Sequence, residues 1–343
     1  MKHLLNTLFV TLQGVYLARE GMSVIVRHEK QTKLRVPVHT LGAIFCFGRV
    51  CVSPPLMAFC ASQHVTIVYF DDHGRFLARV QGPVSGNVLL RKKQYSCSDE
   101  PSSCCEMARA VILSKIANGR SVLLRALRDR PDGSNNSELE SAAGRMNGCL
   151  EFMKSAQSLE SIRAVEGEAA KTYFDVFDHL ITSQKEDFYF RGRSRRPPMD
   201  NLNALLSFLY TLLANDVASA LEGVGLDPAV GFLHRDRPGR MSLALDLMEE
   251  LRPYLADRLA LSLVNRQQIH GRGFTTTTSG AVRMNDETRK ELLIAYQKRK
   301  QEEIVHPFLN EKIAVGLIPH VQALLLARHL RGDIDGYPPF FWK

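Results

Sequence analysis

Ser96–Ser103, SCSDEPSS, divides two kinds of hydrophobic pattern. It is polar, carries a proline and reads as a linker between domains. Before it, VYLAREGMSVIVRHEK (15–30), KLRVPVHTLGAIFCFG (33–48) and HVTIVYFDDHGRFLARVQG (64–82) hold short runs rich in Val, Ile, Phe and Tyr. Turn formers at Glu20-Gly21 and Asp72-His73-Gly74 interrupt them, so residues 1–95 read as a small β domain, with one helix in SPPLMAFCASQH (53–64). After it, the apolar period becomes helical. EMARAVILSKIANGRSVLLRAL (106–127), ESAAGRMNGCLEFMKSAQ (140–157), SLESIRAVEGEAAKTYFDVFDHL (158–180) and NLNALLSFLYTLLANDVASALEGVG (201–225) read as helices. Asp286 to Val305 and HVQALLLARHLRG (320–332) add two more, with QIHGRGFTTTTSGAVRMN (268–285) as loop or hairpin. The expected fold is therefore α+β: a small sheet domain, a linker at 96–103, and a larger all-α domain over 104–343.

The 343 residues suffice for two domains and a sizeable core. A hydrophobic share of 45% and a charged share of 23% are those of an ordinary globular protein. No run of eighteen apolar residues suggests a membrane span, and Asn6, Thr7, Thr11 and Gln13 break up any signal-peptide core. The seven cysteines include no CxxC pair, which argues for reduced thiols in a cytoplasmic protein and against a zinc site. The net charge of +8 permits a polyanion partner without requiring one.

Three features carry chemistry. On a helix at about 100° per residue, Glu166 falls in the middle of a stripe formed by Ile162, Ala169, Ala170, Tyr173, Phe177 and Leu180, whereas Glu168 faces away. A carboxylate on a core-facing stripe needs a partner, either a salt bridge or a metal. Second, GFLHRDRPGRMSLALDLMEELRP (231–253) places His234, Arg235, Arg237 and Arg240 before a helix bearing Asp246 and Glu249. Taken alone, those two acids read as a solvated face and the histidine as a packed one. Together, a Glu, a His and an Asp or Glu from separate elements make an oxygen-rich site with one imidazole, suited to Mg²⁺ or Mn²⁺. Third, Arg191, Arg193, Arg195 and Arg196 cluster in FYFRGRSRRPPMDN (188–201), and Lys171 lies five residues beyond Glu166. Such clusters read either as solvated loops or as contacts to a nucleic-acid backbone.

AVEGEAAKTYF, RRPPMDNLNALLSFLYTLL and DPAVGFLHRDRPGRMSLALDLMEELRP, in that order, resemble the two metal motifs and the central helix of the CRISPR adaptation integrase family. The segment 41–80 is similar to that family's β domain, and YPPFFWK (337–343) to the ending of its subtype I-C members. The resemblance implies a β-sandwich-like N-terminal domain that forms a homodimer, and a helical catalytic domain. It maps the metal ligands to Glu166, His234 and Glu249, the last usually Asp in the family, with Asp246 as an alternative ligand or an outer partner. It implies a metal-dependent DNA endonuclease and integrase that joins pre-spacer 3′-hydroxyl ends to the CRISPR repeat by transesterification. Its partners are double-stranded DNA and a small ferredoxin-like nuclease of the same module. Competing readings are a metal-dependent nuclease of branched DNA acting in repair, and a DNA-binding scaffold with Glu166 as a plain salt-bridge acid. The aromatic tail YPPFFWK either docks on a partner subunit or packs on its own domain.

Overall fold

The computed structural model describes residues 5–80, 82 and 87–342. Residues 1–4, Gln81 of the expected third strand segment and Lys343 of the tail lie outside them. In chain order the strands begin with β1 (Asn6–Val10), β2 (Val15–Glu20), β3 (Ser23–His28), β4 (Gln31–Pro37), β5 (Leu41–Phe47) and β6 (Val50–Val52). Helix α1 (Pro54–Ser62) precedes β7 (Thr66–Phe70) and β8 (Phe76–Val80). Helices follow: α2 (Val88–Asp99), α3 (Pro101–Asp129), α4 (Asn136–Ser155), α5 (Leu159–Asp175), α6 (Asn201–Val224), α7 (Ser242–Glu249), α8 (Arg258–Asn265), α9 (Asp286–Gln301) and α10 (Ile318–Arg331).

The chain forms two compact units. The first, Met1–Ser85 with Met284–Gln301, holds two four-stranded sheets in the orders β4-β3-β2-β6 and β1-β5-β7-β8. Alternation along β2 and β3 sends Leu17, Val24 and Val26 inward, where they share one core with Ile44, Cys46 and Ile67 of the other sheet and Leu56 and Cys60 of α1. The opposite face of β5 and β7 is buried too, by Phe45, Phe47 and Phe70, with Phe47 stacked on Phe70 at 4.8 Å. Burial on both faces explains why those strands read as unbroken apolar runs. Helix α1 starts on Ser53, whose hydroxyl accepts from Leu56 N, with prolines in the first turn where no amide donor is needed.

The second unit, Gly86–Arg283 with Glu302–Lys343, is mostly helical. Helix α6 is capped by Asp200, which accepts from Asn203 N at 2.6 Å, and ends on Gly225 at φ +89°. Among the described residues α6 alone is long and apolar enough to cross a membrane. It is instead wrapped by α7, α8 and α10, which accounts for apolar residues on nearly every face.

The fold class matches the sequence reading, and the division of the chain does not. Residues 96–103 are not a linker: α2 runs through Asp99 and α3 begins at Pro101. Pro101 sits in the first turn of α3, where its missing N–H costs nothing, and Ser102 and Ser103 donate to the Glu100 carboxylate. A breaker in the sequence is a helix start in the structure. The units divide instead between Ser85 and Gly86, and α9 returns to the first unit beside β1. The helix expected to reach Val305 stops at Gln301, and Glu303–Val305 pairs with Lys312–Ala314 as a short antiparallel ladder. All seven cysteines are free.

Candidate functional site

Helix α5 is launched by a reciprocal cap in which Ser158 and Ser161 each bond the other's backbone amide. It packs on α3 through Ile162, Ala169 and Tyr173, all buried. Glu166 lies on that side, half-buried at 29% side-chain exposure, and Glu168 is exposed. Glu166 meets a residue the sequence reading did not single out: Lys115 of α3, whose Nζ stands 2.5 Å from Glu166 Oε1 and 2.9 Å from Glu249 Oε2. Glu249 comes from the last turn of α7, and its other oxygen takes Arg252 Nη1 at 2.8 Å. Burial works to raise the Glu249 carboxyl, but the Arg252 and Lys115 charges overcome it and hold it at about 2. Lys115 shows the converse: burial works against its charge, and Glu249 with Glu166 outweighs that and raises its pKa above the ordinary lysine value.

Asp246, one turn before Glu249, is only 2% exposed and fully engaged. Its Oδ2 accepts from Phe232 N at 2.6 Å and Leu233 N at 3.0 Å. Its Oδ1 accepts from His234 N at 3.0 Å and lies 2.6 Å from His234 Nδ1. The loop 231–234 thus curls over one carboxylate. Only glycine fits at its start, because a Cβ on Gly231 would lie 2.7 Å from Asp246 Oδ2 and 2.8 Å from the Ser242 carbonyl carbon. A carboxylate at Nδ1 fixes the proton there and leaves Nε2 as the coordinating nitrogen of the ring. Arg163 of α5 ties the loop down by donating to Leu233 O.

Behind Glu249 the chain is braced twice. Glu250 is fully buried and accepts from Tyr337 Oη at 2.7 Å, Phe340 N at 2.8 Å and Gln322 Nε2 at 3.0 Å. Burial pushes its carboxyl up to about 7 despite these donors. Asn118 of α3 donates to Glu250 O at 2.7 Å and to Phe340 O at 2.8 Å, and accepts from Trp342 N at 2.7 Å. The tail therefore packs on its own unit. Further on, a π-helical turn over Arg252–Asp257 carries Asp257, which accepts from Tyr210 Oη at 2.6 Å and Tyr173 Oη at 3.2 Å. This joins α5, α6 and the turn that follows Glu249.

The basic residues separate into two kinds. Lys171, Arg191, Arg195, Arg196, Arg235 and Arg237 are exposed, and Arg240 is partly so. Arg191 lies over the Tyr189 ring at 5.0 Å. Arg193 does not belong with them. Its guanidinium donates to Asn203 Oδ1 at 2.5 Å, Ser194 O at 2.6 Å and Ser207 Oγ at 3.1 Å, and it lies over Tyr210. Burial lowers its pKa. Arg193 staples the loop to α6, so the backbone-contact role expected for it is withdrawn.

Two further expectations change. Asp246 and Glu249 are buried rather than on a solvated face, because one is roofed by loop amides and the other by cations. Glu166 and Glu249 converge on Lys115, whereas His234 pairs with Asp246 and acts on Glu249 through charge. Among the described residues no three of these groups stand as a ready metal cage. The donor set nevertheless fits a divalent cation. Two carboxylates from separate helices share one cation, and the nearly buried Glu249 offers Oε2 to Lys115 alone at 2.9 Å while Arg252 holds Oε1. Lys115 could have been found as Glu166 was. It lies one turn from Val111 on the helix that buries Val111, Ile112 and Ile116.

The family model described as CRISPR associated protein Cas1 matches residues 8–298. The chain is 54% identical over 343 residues to CRISPR-associated endonuclease Cas1 1 of Chlorobaculum tepidum, covering 100% of both. It is equally 54% identical over 347 residues to CRISPR-associated endonuclease Cas1 2 of Rhodospirillum rubrum, again covering 100% of both. Its fold is similar to a CAS1 protein from Thermotoga maritima, with a TM-score of 0.81 at 24% identity over 96% of this chain and 97% of that one. It is also similar to a casposase bound to integration product, with a TM-score of 0.84 at 20% identity over 99% and 95% of the two chains. From the match along most of its length and its full-length relatives, the chain belongs to the CRISPR associated protein Cas1 family.

Proposed function

We propose that the second unit is a divalent-metal-dependent DNA endonuclease and integrase of CRISPR spacer acquisition. The observation that carries this reading is the meeting of Glu166 and Glu249, from separate helices, on one cation, with the Glu249 carboxylate almost wholly buried. Curated relatives over the full length are named endonucleases, which supports phosphodiester chemistry at this site. Glu166 and Glu249 would hold Mg²⁺ or Mn²⁺ through carboxylate oxygens, and His234 would do so through Nε2. When bound, the ion supplies Lewis-acid polarisation of the scissile phosphate and stabilises charge on the attacking and leaving oxygens.

The chain's own groups prepare that event. Asp246 fixes the His234 tautomer and turns its ring. Arg252 keeps one Glu249 oxygen, leaving the other for the metal. The exposed Arg191, Arg195, Arg196, Arg235, Arg237 and Lys171, with Arg240, neutralise the DNA backbone. A pre-spacer 3′-hydroxyl attacking a repeat phosphodiester forms a new P–O bond and releases the 3′-hydroxyl of the broken strand, which is strand joining by transesterification. Water in its place gives hydrolysis. The partners under this reading are double-stranded DNA, a second copy of the chain, and a small ferredoxin-like nuclease of the same module; a chain of similar fold comes from a Cas6-RT-Cas1--Cas2 complex, which supports an assembly with a partner protein. The place of action is the cytoplasm.

The test is strand transfer on a branched DNA that mimics a half-integrated product, in Mg²⁺ or Mn²⁺, with wild type and Glu166→Ala. Joining by the wild type and none by a folded Glu166→Ala protein supports the reading. Hydrolysis of the branch without joining points to the repair nuclease instead. Binding without chemistry by both proteins points to a scaffold.

A further inference from the structure

The ammonium between the two carboxylates is unusual in its economy. Glu249 already has a counter-ion in Arg252, which takes Oε1 at 2.8 Å. Lys115 adds a second cation at 2.9 Å from Oε2 and extends it to Glu166 Oε1 at 2.5 Å. A plain structural bridge would need only one of these contacts. Lys115, at 17% side-chain exposure, and Glu166, at 29%, still border solvent, so the ammonium can leave without unfolding the helices that carry it. Its four-carbon stem allows that swing.

A divalent ion bound by Glu166 Oε1 and Glu249 Oε2 would stand within reach of the same two oxygens that now hold Nζ. The two cations cannot share those oxygens without strong like-charge repulsion. We propose that Lys115 is the resident counter-ion of the site, and that a divalent cation enters only by displacing its ammonium from Glu166 and Glu249. This rests on the metal reading given above and adds a residue to it. Lys115 keeps two facing carboxylates from repelling each other before loading, and it sets how much metal is needed to load them. The freed ammonium then needs a new anion, and a DNA phosphate at the metal supplies one.

Because the two cations exclude each other, removing one must tighten the other. Mn²⁺ binding without DNA, read from the loss of the free-ion electron paramagnetic resonance signal, tests this in wild type, Lys115→Met, Lys115→Arg and Glu166→Gln. Lys115→Met should bind Mn²⁺ more tightly by at least about tenfold, an ordinary size for two mutually exclusive ligands. Lys115→Arg should stay near wild type, and Glu166→Gln should lose binding. Unchanged or weaker binding in Lys115→Met, with binding lost in Glu166→Gln, overturns the Lys115 proposal and spares the metal reading. Unchanged binding in Glu166→Gln removes the metal reading and this proposal with it. Should Lys115→Met fail to fold, reductive methylation of wild-type Lys115 decides. Displacement predicts several-fold faster labelling of Lys115 with Mn²⁺ present, and equal labelling refutes it.

Discussion

Replacing Asp246 by Asn is the sharpest probe of how His234 is held. The side chain keeps its shape and loses its charge and one acceptor. If the new amide nitrogen takes the Oδ2 place, it faces the Phe232 and Leu233 N–H donors at 2.6 and 3.0 Å. If it takes the Oδ1 place, it faces the His234 N–H at 3.0 Å, and it can donate to Nδ1 only if the ring moves its proton to Nε2. The second arrangement leaves fewer donors stranded and inverts the tautomer, so Nε2 can no longer coordinate. One buried backbone donor loses its acceptor at roughly 1–3 kcal/mol, and the remaining bonds lose their charge assistance, for a local loss of about 3 kcal/mol. Hydrogen exchange at the amides of residues 232–234 should then quicken by about 100-fold, since each tenfold is about 1.4 kcal/mol. Nitrogen NMR of the imidazole should show Nε2 protonated in the variant and Nδ1 protonated in the wild type at neutral pH. Unchanged exchange at 232–234 would refute the view that Asp246 holds this loop.

Other outcomes follow from the same structure. Deleting residues 337–343 removes fully buried Phe340 and two of the donors to Glu250, and should lower unfolding stability by at least ~3 kcal/mol in urea; an unchanged midpoint would show that the tail is ornamental. Glu250 titrates near 7 in the folded protein, against 4.5 for an ordinary glutamate, so its contribution is fully present below pH 4.5 and is lost as pH rises through 7. Glu250→Gln should therefore gain on the wild type by about 3 kcal/mol between pH 4.5 and 7.5, measured by parallel denaturant titrations, and a constant difference would count against it. Arg193→Ala should lower stability and leave the salt dependence of DNA binding nearly unchanged, whereas Arg195→Ala and Arg196→Ala should each reduce the slope of log K against log salt by about 1.

Glu166 was legible because a helix turns a sequence into faces, and a charge in an apolar stripe stands out on that projection. Asp246 and Glu249 were not legible as buried groups, because acids on an amphipathic helix ordinarily face water. What buries them comes largely from other elements: the amides of residues 232–234 for one, and Lys115 of α3 for the other, with Arg252 three residues on completing the cover. The resemblance named the residues, but it did not supply this division of labour. The same limit explains the missed helix α2, whose sequence VLLRKKQYSCSD has few apolar residues beyond its first turn to mark a period. Only Leu90 and Gln94 are buried along it, and Gln94 is spent on the backbone of Asp227 and Val230. Arg193 sits among surface arginines in sequence, and only Asn203 and Ser207 on the next helix reveal that it turns inward.

Lys115 and Asn118 are three residues apart on α3, about 5 Å along the helix axis. The first grips the paired carboxylates, and the second clasps both Phe340 and Trp342. Anything fused at the C-terminus therefore departs from close to the paired carboxylates of the proposed site. A bulky tag or fluorescent reporter appended there would crowd incoming DNA, or lever the helix that bears the lysine. A cleavable tag at that end would report its own interference as a gain in strand joining on removal.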